Sequence, residues 1–228
     1  MDAALTMLVA AAVTFVGTHF ALSHPLRGAV TRAVGEKGFQ GVYSLVALAS
    51  FGWMALAFRA APGLAAPLWD GQGEPAWTMA SALTLLAGVL LVGSFQGNPA
   101  LPAPDAAALA AKGPHGVFHI TRHPMMWAMA LWAAAHVLVA PTPRVLVLTA
   151  AIALLALAGS HMQDRKKEAA MGEAWAGWEA KTAFWPRLGG LTQVGAVPWL
   201  GGAALWLAAT WAHIWLAYVP AGIWRWVG

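Results

Sequence analysis

Cysteine is absent from the 228 residues and charge is scarce: 10% of positions are Asp, Glu, Lys or Arg, against 60% hydrophobic. Without thiols the chain can form no disulfide, no iron–sulfur centre and no thiolate-ligated haem. Any metal chemistry must rest on His, Met or carboxylate. So little charge at a mean hydropathy of +0.63 points to a polytopic membrane protein. Internal repeats and a second soluble domain are also lacking, so residues 1–228 read as one transmembrane domain. The pI near 9.9 does not indicate nucleic acid, because the basic residues lie between apolar stretches, where membrane topology accounts for them.

What is present is a series of six apolar stretches, over residues 3–23, 39–60, 76–97, 124–140, 143–160 and 197–219. Each is long enough, or nearly so, to cross about 30 Å of hydrocarbon. The expected fold is all-α, a polytopic bundle of about six spans. The first stretch follows Met1-Asp2 and lacks a positively charged start, so it is expected to stay as a helix rather than be cleaved as a signal. Pro141-Thr142-Pro143 predicts a tight turn that makes spans four and five a hairpin. Beyond span five, Ser160 to Glu168 predicts a helical extension into water, where Asp164 and Glu168 pair with basic residues one turn away. Asp105–Lys112 predicts a short helix capped by Asp105. The fourteen tryptophans read as an interfacial belt, with Trp175, Trp178, Phe184 and Trp185 marking a return to the membrane surface. Gly88 and Gly93, or Gly201 and Gly202, allow close helix approach.

Ten of the thirteen basic residues fall in loops one, three and five: Arg27, Arg32, Lys37, Lys112, Arg122, Arg165, Lys166, Lys167, Lys181 and Arg187. The positive-inside bias puts those loops in the cytoplasm and both termini in the periplasm of a bacterial inner membrane. Eight histidines remain to be explained. His19, His24, His123 and His161 form an inner tier, and His136 and His213 an outer pair. His123 and His136 stand on one helix about 20 Å apart, so they cannot share one iron. His115 and His119 are solvated loop residues, and His213 suits an interhelical hydrogen bond. His19 and His136 sit among small residues, where an unpartnered imidazole is unfavourable, and neutral imidazole is a ready ligand for haem iron.

The order of Thr18-His19, Pro25-Leu26-Arg27, Gly35-Glu36-Lys37-Gly38-Phe39-Gln40-Gly41-Val42-Tyr43-Ser44-Leu45, Thr121-Arg122-His123-Pro124 and Ala135-His136 resembles the NnrU family. His161-Met162-Gln163-Asp164-Arg165-Lys166-Lys167 and Gly172-Glu173-Ala174-Trp175 complete the likeness, which runs from the first helix to Pro186. The resemblance implies membrane proteins associated with bacterial denitrification and, in a related branch, the plastid 15-cis-zeta-carotene isomerase. That branch implies haem b and a cis-to-trans double-bond isomerisation. The implied ligands fall on His19 and His136. Helix registers set these two about 18 Å apart in depth, which makes His123 the reserve partner. Arg122, His123, His161 and Arg165 are the candidate cofactor contacts at the cytoplasmic mouth, Arg122 suiting a haem propionate or a lipid phosphate. The expected ligands are an apolar polyene or a gas such as nitric oxide, beside the lipid bilayer itself.

Two other readings fit the same residues. Arg122-His123-Pro124, the helical hairpin, Gly172-Glu173-Ala174-Trp175 and Trp185-Pro186 are also similar to the small membrane methyltransferases of the isoprenylcysteine and phospholipid type. There S-adenosylmethionine would be gripped by Arg122 and by Glu168 or Glu173. The third reading is a non-catalytic helper in the assembly of a respiratory enzyme.

Overall fold

Proline and glycine punctuate a chain that is otherwise helical nearly throughout. The computed structural model describes residues 2–62 and 66–227. Met1, half of the acidic start that precedes the first apolar stretch, lies outside the described residues. Helix α1 (Ala3–Ser23) stops just before Pro25, with the His24 N–H donating to the Phe20 carbonyl at 3.1 Å. Helix α2 (Arg27–Ala60) starts twelve residues before the second apolar stretch. It absorbs most of the expected first loop and bends at Gly35, whose φ of 73° and ψ of 172° lie outside the helical region. The remaining helices are α3 (Glu74–Gly93), α4 (Ala106–Lys112), α5 (Pro124–Val139), α6 (Pro143–Met171), α7 (Glu173–Lys181), α8 (Ala196–Leu216) and α9 (Trp224–Val227), with 3-10 turns at Gly116–His119 and Leu188–Gln193.

Four helices, α1, α2, α3 and α6, are long and apolar enough to cross a membrane, and α5 is a shorter apolar helix. The chain is therefore a multi-pass membrane protein, with fewer evident spans than the six apolar stretches suggested. The shortfall has two causes. At 1.5 Å per residue the 16 residues of α5 reach about 24 Å, short of the hydrocarbon thickness. Helix α8 has 21 residues, but Trp199, Trp206, Trp211, Trp215 and His213 lower its hydropathy.

The described residues pack as two compact units. The first comprises residues 1–71 and 140–155. Its core joins Leu8, Ala11 and Phe15 of α1 to Met54 and Ala57 of α2 and to Ala151 of α6. The second comprises residues 72–139 and 156–228. There α3 is central, packing along both α5 and α8, while α4 packs on α7. The partner that runs along α5 is thus α3. At the Pro141–Pro143 turn the Thr142 N–H donates to the Ala140 carbonyl at 2.8 Å.

Glycine sets the α3–α8 approach. A Cβ at Gly202 would lie 2.5 Å from the Val89 backbone, and one at Gly88 would lie 2.8 Å from the Gly202 carbonyl oxygen. Main chain thus meets main chain at this crossing. The core of the second unit gathers Leu90, Phe118, Ile120, Trp175 and Trp178. The last two tryptophans are wholly buried, whereas Trp185 is 66% exposed. Trp175 and Trp178 are core residues, not belt residues, because the short amphipathic α7 turns them inward. Asp105 precedes α4 as expected, but its side chain makes no capping hydrogen bond; its backbone carbonyl accepts from the Leu109 N–H at 2.9 Å.

Candidate functional site

Pro124 begins α5, where its missing N–H is no loss, and the three residues before it are held rigidly. The Thr121 hydroxyl donates to the Phe184 carbonyl at 2.7 Å and accepts from the His123 N–H at 3.3 Å. The Arg122 N–H donates to the Ala183 carbonyl at 2.8 Å, and the Trp127 indole donates to the Phe184 carbonyl at 2.8 Å. A strap at residues 183–187 is thereby pinned along the entry to α5. This fixes where the two side chains between Thr121 and Pro124 project.

Both converge on Asp164 of α6. Arg122 donates through Nε at 3.0 Å and Nη2 at 2.7 Å to Asp164 Oδ2, and His123 Nε2 lies 2.8 Å from Oδ1. Arg122 Nη2 also meets Glu179 Oε1 of α7 at 3.1 Å. The side chains of His123 and Asp164 are 1% and 5% exposed, that of Arg122 14%. Such a buried pair needs every one of these bonds to offset desolvation. Burial, with Asp164 and Glu168 nearby, holds the Glu179 carboxyl above its ordinary range against the opposing pull of Arg122. A carboxylate only accepts, so Nε2 of His123 carries the hydrogen. Nδ1 is left buried with no hydrogen-bond partner among the described residues.

Beside this cluster lies a recess of about 20 Å³, partly open to solvent, lined by Asn98, Ala100, Leu101, Arg122, His123, Met125, Met126 and Gln163. Its far wall is fastened to α6: Gln163 Nε2 donates to the Ala100 carbonyl at 3.1 Å, and Lys167 Nζ donates to the Pro99 carbonyl at 2.7 Å. The recess is smaller than the roughly 300–1,000 Å³ of pockets that enclose drug-sized ligands. It suits water or a small polar group.

These contacts revise the reading of several residues. Asp164 is not an exposed partner of basic residues one turn away; it is buried and bound to groups from another helix entry. Ala156, Ser160 and Asp164, spaced four apart, form one buried stripe of α6, and that spacing was the available signal. Glu179, the second carboxylate on Arg122, had no such signal. Arg122 donates through Nε and Nη2 to Asp164, meets Glu179 through Nη2, and also lines the recess. His123 has its Nε2 on Asp164, and its Nδ1 keeps an unused lone pair among the described residues. His161 and Arg165 are exposed on α6, turned away from the face that carries Asp164, so the structure brings Arg122 and His123 together without them.

The intramembrane histidines behave differently. Nδ1 of His19 lies 2.7 Å from the Phe15 carbonyl, that of His136 2.8 Å from the Trp132 carbonyl, and that of His213 2.8 Å from the Ala209 carbonyl. A carbonyl cannot donate, so Nδ1 carries a hydrogen in all three, and a neutral ring tethered in this way keeps its lone pair on Nε2. That is the tautomer a metal ligand requires. His19, in the first unit, packs against Phe15 and Tyr43. His136 and His213, both in the second, have ring centres 6.0 Å apart. Among the described residues no three His, Asp or Glu side chains gather as a cage for a bare ion.

The profile of the NnrU family, described as NnrU protein, matches residues 7–221. No curated protein and no solved structure matches the chain.

Proposed function

Because the chain belongs to the NnrU family, we propose that it is an integral membrane haem b protein in which His136 would hold the haem. The observation that carries this reading is the ring of His136. Its Nδ1–H is tied to Trp132, and the Trp132 indole packs on it with ring centres 4.1 Å apart. Its orientation is thus fixed with Nε2 available. When bound, haem would supply a redox-active iron able to pass electrons or take up a small ligand.

The chain's own residues do the remaining work. Trp132 holds the tautomer and the plane of His136. The apolar faces of the helices exclude water from the site and admit apolar ligands. The Arg122–Asp164–His123 cluster locks the opposite end of α5 to α6. In this reading α5 and α8 complete six spans, the Arg122 end faces the cytoplasm, and both termini are periplasmic in the inner membrane. The activity is a redox-gated, isomerase-like reaction on an apolar polyene, or a response to a gas such as nitric oxide within denitrification.

The test is the haem content of the full-length protein purified from a haem-replete host. Near one haem per chain is expected, falling about tenfold or more in His136→Ala, in line with the loss of a principal ligand. A wild-type protein without haem contradicts the reading. Calorimetry showing micromolar binding of S-adenosylmethionine would favour a methyltransferase. Copurification with a respiratory enzyme, without haem, would favour an assembly helper.

A further inference from the structure

The His123 side chain is 1% exposed, and its Nε2–H is spent on Asp164 Oδ1 at 2.8 Å. The lone pair of the neutral ring is thereby fixed on Nδ1, which is buried and has no partner among the described residues. Leaving a buried acceptor unmet is unfavourable, so this atom calls for a donor. The recess is where one can stand. His123 lines it and Asp164 does not, so the recess meets the ring on the side away from Asp164, the side that carries Nδ1. Every residue concerned belongs to the second unit.

The other polar groups of the recess complete a pattern. Arg122 spends Nε and Nη2 on carboxylates and makes no bond through Nη1. Asn98 Oδ1 accepts from the Ala100 N–H at 2.9 Å, and Gln163 Nε2 donates to the Ala100 carbonyl at 3.1 Å. An amide donor is left on Asn98 and an amide oxygen on Gln163. Donors on Arg122 and Asn98 thus stand with acceptors on His123 and Gln163. A hydroxyl serves both kinds at once, because its oxygen accepts while its hydrogen donates. At about 20 Å³ the recess holds about one water-sized group. It is partly open, so the body of a larger ligand can remain outside. Met125 and Met126 complete the lining, and thioether sulfur packs favourably on aromatic rings.

We propose that the recess binds the hydroxyl of a phenol-type ligand, with His123 Nδ1 accepting its O–H, Arg122 donating to its oxygen, and its ring lying against Met125 and Met126. Asp164 is the positioning residue, since its hold on the Nε2–H keeps the lone pair on Nδ1. The site requires no haem at His136.

The experiment uses the full-length protein in micelles with isotopically labelled histidine. Phenol is the probe, and the readout is the nitrogen magnetic resonance of His123 Nδ1, identified by its absence from His123→Gln. In wild type, phenol moves this resonance saturably, whereas anisole, which lacks the O–H, leaves it in place. Cyclohexanol binds several-fold more weakly than phenol. Asp164→Asn gives Nε2 a donor and shifts the hydrogen to Nδ1, so phenol affinity falls about tenfold, as the loss of one hydrogen bond requires. Unchanged His136 and His213 resonances in that variant show that the fold is kept. A wild-type resonance that phenol does not move means that the recess holds water only, and overturns the site. An equal response to anisole overturns the role of the hydroxyl, and cyclohexanol binding as tightly as phenol overturns the aromatic class. An Asp164→Asn variant that keeps its fold and binds phenol as wild type does overturns the positioning role of Asp164.

Discussion

Asp164→Ala is the most informative single change at the cytoplasmic cluster. The wild-type carboxylate accepts two bonds from Arg122 and one from His123, at 2.7, 3.0 and 2.8 Å, with both partners largely buried. Truncation leaves a guanidinium that is 14% exposed and an imidazole that is 1% exposed, and breaking a buried pair from one side costs about 3–5 kcal/mol. Two facts place this case at the low end, about 3 kcal/mol: Arg122 keeps Glu179 at 3.1 Å, and the recess lets water reach the cluster. Asp164→Asn is milder, about 1–2 kcal/mol, because the amide oxygen still accepts from Arg122 while its NH₂ donates to a His123 ring that has switched tautomer. The assay is reversible unfolding in mixed micelles, with Arg122→Gln closing a double-mutant cycle. A loss for Asp164→Ala within about 0.5 kcal/mol of zero, the range of ordinary surface changes, would refute the cluster as a buried lock.

Other outcomes follow from the packing. Gly202→Ala forces a methyl into the Val89 backbone and is expected to cost about 1–3 kcal/mol, measurable by thermal unfolding. Gly201→Ala, which meets only the Val92 side chain, is milder. Trp175→Ala should lose about 3–5 kcal/mol, against less than about 0.5 for the exposed Trp185→Ala. Unfolding of the two variants side by side tests which tryptophans are core. Since burial raises the Glu179 carboxyl, its protonated form is the one favoured by the fold. Wild type should therefore gain stability relative to Glu179→Gln as pH falls from 7 through the raised value towards 4.5, the ordinary value for Glu, and lose that gain as pH rises. A difference independent of pH over this window contradicts the assignment.

Much of the fold was readable from apolar runs and their punctuation. Pro25 and Pro143 bound helices where they should, and the apolar lengths of α1, α3 and α6 required helices. What escaped depended on tertiary neighbours. Gly35 bends a helix instead of closing a loop because α2 continues on both sides of it. Asp164 looked like one more charge in a solvated run, and only its register with Ala156 and Ser160 revealed the buried face. Arg122 and His123 were recognisable as a pair, but their partners lie 42 and 41 positions away in sequence for Asp164 and on α7 for Glu179, distances over which no local pattern operates. His213 was read as a hydrogen-bonding residue flanked by tryptophans. Its closeness to His136 follows from the glycine contact that draws α8 against α3, a contact that no periodicity encodes.

The central claim is that an intramembrane imidazole, set by its tether to Trp132, binds haem. The most direct measurement is the reduced-minus-oxidised absorption spectrum of the purified full-length protein beside that of His136→Ala. The account predicts a Soret band with sharp α and β bands of a haem b in wild type, lost in the variant. A wild-type spectrum flat across the visible range, or one that the variant reproduces in full, would contradict it.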